Sequence, residues 1–175
     1  MTRDVCNDHI LLVGFMGSGK TSVSRKMSSI TGMSLIDIDY RIEAIEHRDI
    51  PQIFAEEGED GFRRIETNTL RGIAYERRAI VSCGGGIVCN PVNRPILKSL
   101  GTVIYLDTPL DEAIGRISRP ETRPLLSGKR PVAEIYAQRI PWYEEVADIT
   151  VRSTNMSVYQ VACVCVRELK ERGLL

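Results

Sequence analysis

Gly14-Phe15-Met16-Gly17-Ser18-Gly19-Lys20-Thr21 fits the pattern G-x-x-x-x-G-K-[ST] at every position, and the fold is read outward from it. Glycines in such a loop let successive backbone N–H groups curl around phosphate oxygens, where a Cβ would block the approach. Lys20 supplies a point charge, and Thr21 sets a hydroxyl where a phosphate-bound Mg²⁺ needs a ligand. A helix beginning there adds the positive end of its dipole. The flanks agree. His9-Ile10-Leu11-Leu12-Val13 reads as a buried strand leading in, and Val23, Met27 and Ile30 recur at helical spacing leading out, until Thr31-Gly32 stops the helix. A chance Gly-rich turn would not require both. A nucleoside triphosphate is therefore the expected ligand, with Mg²⁺, held by Gly17, Ser18, Gly19, Lys20, Thr21 and Ser22.

The 175 residues suffice for one domain with a sizeable core, 1–175. Lys plus Arg equals Asp plus Glu at 23 each, so no global charge bias points to nucleic acid or an anionic membrane as partner. Five cysteines, an odd number without C-x-x-C spacing, argue against a disulfide scaffold or a cysteine zinc site. His9 and His47 form no metal-ligand pattern and are expected on the surface or in packing roles. The first eight residues lack an apolar signal core, and no later apolar run approaches membrane-spanning length. A soluble, cytoplasmic chain is the expectation.

Downstream, Ser34-Leu35-Ile36-Asp37-Ile38-Asp39 reads as a second strand ending in two carboxylates, a spacing that sends both to one face. Acids at the carboxyl end of a strand in an α/β protein face the crevice where ligands bind. Tyr40 to Glu46 looks helical, which makes Asp39 a candidate N-cap and leaves Asp37 unexplained by capping. Pro51 to Ala55 opens a short helix, Gly58 breaks it, and a longer helix runs from Glu59 to about Tyr75 with Phe62, Ile65, Thr69 and Ile73 as its buried stripe. By pattern alone Arg63, Arg64 and Glu66 are ordinary surface charges.

Ala79 to Ser82 reads as a strand that delivers the chain into Cys83-Gly84-Gly85-Gly86. Three glycines suit either a tight turn or a backbone passing close to a substrate. Cys83 reads as a small packing residue. A helix from Asn90 to Leu100, a strand from Thr102 to Asp107, a helix from Pro109 to Ile117, a strand near Asp148 to Val151 and a closing helix complete the alternation expected of a parallel sheet with helices on both faces. The closing helix keeps Val158, Val161, Ala162, Cys165 and Leu169 on one apolar face. One stretch, Ser118 to Pro131, carries three prolines, a glycine and four basic residues. It is expected to be a loop, either a solvated one or a mobile lid that brings cations to phosphates.

Taken in order, Gly14 to Thr21, Asp37-Ile38-Asp39, Phe62-Arg63-Arg64-Ile65-Glu66, Gly84-Gly85-Gly86, Arg123-Pro124-Leu125-Leu126 and Arg139-Ile140-Pro141-Trp142-Tyr143 resemble the shikimate kinase family over nearly the whole chain. The resemblance implies a three-layer α/β/α fold on a mainly five-stranded parallel sheet, of the P-loop nucleoside-monophosphate-kinase type. It implies transfer of the ATP γ-phosphoryl group to the 3-hydroxyl of shikimate, a step of chorismate and aromatic amino-acid biosynthesis; a monomeric chain is the expectation. It also implies a substrate-binding segment at about 37–66. By the same resemblance Arg63 and Arg139 match a carboxylate clamp, and a planar guanidinium suits that task because it donates two parallel hydrogen bonds. Asp39 matches the acid that binds ring hydroxyls and takes a proton, Asp37 a neighbour near Mg²⁺ through water, and Thr21 its direct ligand. Gly84, Gly85 and Gly86 match a backbone shelf for the substrate. Lys20 and Arg123 match the groups that stabilise the transferring phosphoryl charge, and Arg116 a residue against adenine. Glu144 and Glu145 stand where relatives often carry a basic residue, and the stretch Arg152 to Ser157 varies in the family.

Two other readings share the phosphate loop. Another small-molecule kinase, such as a gluconate kinase, gives no reason for Asp37 and Asp39 together with three glycines and Arg139. A non-catalytic nucleotide sensor on this fold would be supported by loss of Lys20, Asp39 or Arg123, and all three are present.

Overall fold

The strand read from His9 to Val13 is the middle of the sheet, and its residues divide between two cores. Leu11 and Val13 belong to one apolar cluster while Ile10 and Leu12 belong to the other, as alternation along a strand covered on both faces requires. A computed structural model describes residues 5–117 and 130–175. Among them the elements are β1 (His9–Val13), α1 (Lys20–Thr31), β2 (Ser34–Asp37), α2 (Ile38–Glu46), α3 (Ile50–Gly72), β3 (Ala79–Ser82), α4 (Asn93–Leu100), β4 (Gly101–Asp107), α5 (Leu110–Gly115), α6 (Val132–Val146), β5 (Ile149–Arg152) and α7 (Val158–Glu171). Short 3₁₀ turns cover Ile73–Tyr75 and Ile87–Cys89.

Five strands lie in the order β2-β3-β1-β4-β5, and every pairing is parallel. α1 and α7 cover one face, packing Val23, Met27, Val161 and Cys165 against Ile10 and Leu12. On the other face α3, α4 and α6 supply Phe62, Leu70, Leu97 and Tyr143 to the second cluster. The α/β class and the five-stranded parallel sheet are thus as the sequence pattern indicates. The strand order places β3 and β4 on either side of β1, so the chain after Val13 enters the crevice where such sheets bind ligands. No helix among the described residues is long and apolar enough to cross a membrane. All five cysteines are free thiols.

Several boundaries differ from the sequence reading, each for a local reason. β2 ends at Asp37 rather than Asp39, because the Asp37 carboxylate accepts hydrogen bonds from the N–H groups of Asp39 and Tyr40 and caps α2. Asp37 is therefore the cap expected of Asp39, and Asp39 stands in the first helical turn instead of sharing a strand face with it. α4 starts at Asn93 rather than Asn90, after the Asn90 side chain accepts from the N–H of Val92. Ile30 and Val158, counted on apolar faces, are exposed at 42% each. Gly58, with φ 71° and ψ −175°, splits α3 where the break was expected, since that backbone is open to glycine and strained for other residues. α6 was not read from the sequence as a helix. Its buried residues Ile135, Arg139, Tyr143 and Val146 form a stripe at helical spacing that contains a cation. The candidate lid lies outside the described residues up to position 129, and Arg123 with it.

Candidate active site

The phosphate loop leaves β1 and enters α1 with Lys20 nearly buried at 8% exposure. Its ammonium donates to the Gly14 and Phe15 carbonyls, both at 2.8 Å, and to Ser18 Oγ at 3.3 Å. The cation is thereby held across the loop at the positive end of α1, an arrangement suited to an anion. Gly17, in the left-handed region at φ 78°, lies so close to α5 that a Cβ would collide with the Ala113 carbonyl. Ser22 is exposed at the start of α1 and lines the same cavity as Gly17, Ser18, Gly19 and Lys20.

Thr21 and the carboxylate of Asp37 meet at the foot of this loop. Thr21 Oγ1 donates to Asp37 Oδ2 at 2.8 Å and lies 3.3 Å from Ser82 Oγ. The second Asp37 oxygen serves the α2 cap. These are hard oxygen donors, of the kind that take Mg²⁺ when substrate phosphates and water complete its octahedron. Their donor chemistry fits the ion in that shared role, and among the described residues no group of three or more His, Cys, Asp or Glu is placed to hold a metal.

On the acceptor side, α3 turns a charged pair inward. Glu66 is 1% exposed, and Arg63 donates from Nη1 to Glu66 Oε2 at 2.8 Å and from Nη2 to Glu59 Oε1 at 3.2 Å. This corrects the pattern reading, which treated both as surface charges; Arg64, its side chain 71% exposed, conforms to it. Periodicity missed the pair because Arg63 lies three residues from Glu66, and i,i+3 ion pairs are ordinary on exposed helices. Burial pushes the Glu66 carboxyl up to about 7 against the opposing pull of Arg63. Arg63 Nε is buried and has no hydrogen-bond partner among the described residues. An orphaned guanidinium donor costs stability unless a ligand satisfies it.

The three glycines are a shelf with a different neighbour at each position. A Cβ on Gly84 would lie 2.8 Å from Asp39 Oδ1 and 3.0 Å from Glu66 Oε1. One on Gly85 would lie 3.0 Å from the Met16 nitrogen, and one on Gly86 would collide with the Arg63 guanidinium. Both features of the glycine run are present: the Ile87 N–H donates to the Gly84 carbonyl at 3.1 Å and closes a turn, and the backbone passes close to Asp39, Met16 and Arg63. From α6, Arg139 (4% exposed) donates to the Gly85 carbonyl at 3.2 Å, and the Tyr143 hydroxyl donates to the same oxygen. Tyr143 is itself stacked on Tyr105, with ring centroids 5.2 Å apart. Cys83 is buried, and burial pushes its thiol well above the usual range, in keeping with a packing role.

Two cavities open on these groups. One, about 530 Å³, follows the phosphate loop to Arg116, Met156, Ser157 and Val158; the other, about 510 Å³, is walled by Phe54, Arg63, Glu66 and Arg139. Both touch Met16, Thr21, Asp39 and Gly85, so they meet at the phosphate loop. The structure brings together the expected residues from the phosphate loop, Asp37, Asp39, Arg63, the glycine shelf, Arg116 and Arg139. It adds Glu66, Tyr143 and Met16, to which the sequence reading gave no role. A cation and a tyrosine in the apolar stripe of α6 were the available signal for Arg139 and Tyr143.

A family model described as shikimate kinase matches residues 16–170. The chain is 38% identical over 167 residues to a shikimate kinase of Vibrio parahaemolyticus, covering 94% of this chain and 97% of that one. It is 42% identical over 157 residues to a shikimate kinase of Nitrosospira multiformis, covering 88% and 80%. A solved structure of shikimate kinase from Acinetobacter baumannii in complex with shikimate superimposes with a TM-score of 0.90 at 34% identity, covering 95% of each chain.

Proposed function

The chain belongs to the shikimate kinase family, and from that premise we propose that its two cavities divide one reaction, ATP lying along the phosphate loop and shikimate beneath α3. The reaction transfers the γ-phosphoryl group of ATP to the 3-hydroxyl of shikimate, giving shikimate 3-phosphate and ADP. The observation that carries the division is the meeting of the cavities at Met16, Thr21, Asp39 and Gly85, which would set donor phosphate and acceptor hydroxyl face to face.

In this reading the shikimate carboxylate is held by Arg63 and Arg139, and the unpartnered Arg63 Nε gains an acceptor. Asp39 accepts hydrogen bonds from ring hydroxyls and takes the proton of the attacking one. Gly84, Gly85 and Gly86 let the substrate approach the backbone. Lys20 and Arg123 stabilise charge on the transferring group, Lys20 leaving the Gly14 and Phe15 carbonyls for phosphate oxygens. Thr21 would hold Mg²⁺ directly and Asp37 through water; when bound, the ion neutralises phosphate charge and orients the triphosphate. Gly17, Ser18, Gly19 and Ser22 line the nucleotide and Arg116 lies at its adenine end. The chain works as a cytoplasmic monomer, one domain over 1–175, with a substrate-binding segment at 37–66; the lid expected at about 118–131 falls on residues outside the described ones up to 129. Its partner is the small acid rather than nucleic acid or a membrane.

ADP release measured with ATP and Mg²⁺ tests this reading. Shikimate should support turnover where quinate, gluconate and nucleoside monophosphates support far less. Absence of shikimate-dependent turnover would overturn the reading.

A further inference from the structure

The nucleotide cavity is bounded at its far end by a stretch of chain, Ser153 to Ser157, that no sequence signal assigned. Its two ends are pinned. Ser153 donates its N–H to the Asp107 carbonyl at 3.0 Å and pairs its buried hydroxyl with Thr108 Oγ1 at 2.7 Å. Ser157 caps α7, its hydroxyl accepting from Gln160 N–H while the Gln160 side chain accepts from Ser157 N–H. Between these pins lies Asn155, in the left-handed region at φ 54°, and its N–H is donated to Glu112 Oε1 at 3.2 Å. The other oxygen of that carboxylate, Oε2, accepts from Arg116 Nη2 at 2.7 Å. One side chain thus joins the loop to Arg116, and both line the cavity, the loop through Met156 and Ser157.

Glu112 is also well placed to register this end of the site against the other. It sits on α5 beside Ala113, whose carbonyl is the backbone against which Gly17 of the phosphate loop rests. A short helix docked on the phosphate loop therefore carries the group that holds the far wall.

We propose that Glu112 is a positioning residue for the base end of the nucleotide, its two carboxylate oxygens holding Arg116 and the Asn155 turn in one arrangement relative to the phosphate loop. The proposal rests on the reading that the cavity at Arg116 takes the base. Its chemistry predicts selectivity within the ligand. A residue that orients the base wall contributes to binding a nucleoside triphosphate and contributes nothing to binding the triphosphate alone. Because the Glu112 and Arg116 side chains are 21% and 37% exposed, solvent reduces the effect below that of a buried charged hydrogen bond.

The test compares calorimetric affinities for ATP and for inorganic tripolyphosphate, both with Mg²⁺, in the unaltered protein, Glu112→Ala, Glu112→Gln and Arg116→Ala. Glu112→Ala should weaken ATP binding about fivefold to tenfold and leave tripolyphosphate binding and the shikimate KM unchanged. Glu112→Gln should recover part of the loss, since its amide oxygen still accepts from Asn155 N–H. Unchanged ATP affinity in Glu112→Ala, or equal losses for ATP and tripolyphosphate, would overturn the proposal. Arg116→Ala separates the two levels. If it leaves ATP affinity intact, the base reading of the cavity fails; if it weakens ATP while Glu112→Ala does not, only the role of Glu112 fails.

Discussion

In the proposed reading, the donor and acceptor halves of the site are built in opposite ways. The donor half is mainly backbone from one unbroken stretch, Gly14 to Thr21, with the Lys20 ammonium folded across it. The acceptor half is mainly side chains drawn from α2, α3 and α6 around the glycine shelf, held by a buried ion pair and by two donors on one carbonyl. Phosphates look alike in every nucleotide, so consecutive N–H groups and one charge suffice to hold them. A small hydroxy acid has to be distinguished from its neighbours, and that requires groups converging from separate elements.

Breaking each half should therefore give different losses. Removal of the donor cation, Lys20→Ala, should have the largest effect, lowering kcat on the order of 10³-fold, because the charge it stabilises develops in the transition state. Steady-state ADP release measures it, and a change confined to KM would place Lys20 outside the reaction. In the acceptor half, Arg63→Ala should raise the shikimate KM about 100-fold and leave ATP affinity intact, since the proposed reading gives Arg63 a carboxylate contact through its unpartnered Nε and leaves the phosphate loop untouched. Equal losses for both substrates would erase the contrast between the halves. The same variant strands the buried Glu66, so thermal stability should also fall, and Arg63→Ala combined with Glu66→Gln should regain part of it.

The next effect concerns pH. The Glu66 carboxyl is raised to about 7, so below that pH it is neutral and competes less for Arg63, which keeps Glu59 as its other partner while a carboxylate arrives. Shikimate affinity should weaken a few-fold between pH 6 and 8, and Glu66→Gln should flatten the profile. For stability the sign is that of a raised acid. The contribution of Glu66 is fully present below its unfolded value of 4.5 and is lost as pH rises through about 7.

The smallest expected effect lies outside the site. His9 is buried, accepting the Ala79 N–H on Nδ1 and donating from Nε2 to the Ile73 carbonyl, which fixes a neutral tautomer. Burial lowers its pKa below 6.5, so its contribution to stability is present above 6.5 and is lost as pH falls through its folded value. Denaturant midpoints between pH 7.5 and 5.5 should fall less in His9→Gln than in the unaltered protein. A parallel decline in both would remove His9 from the acid sensitivity.

Legibility followed the same division. The phosphate loop and its flanking strand and helix are contiguous, and local geometry alone gives such residues their meaning, so pattern located them correctly. The glycine run was legible as unusual, and only the structure shows that it both turns the chain and runs close against Asp39, Met16 and Arg63. Arg63 and Glu66 were illegible to periodicity, since an i,i+3 pair looks the same whether its helix face meets water or a cavity. The family motif assigned a role to Arg63 and none to Glu66, and the burial of both came from packing against Phe62 and the shelf.

Even within one hexapeptide the two kinds of information part. From residues alone, Asp37 and Asp39 could be recognised as acids at the end of a strand, facing a ligand crevice. Which of them capped the helix was decided by where the sheet released the chain, because a cap is set by backbone position and not by residue type. By itself the sequence determined the sheet, the phosphate loop and the kinds of group required. Tertiary structure decided which charges are buried, what they face and how the two cavities meet, because those properties depend on neighbours distant along the chain.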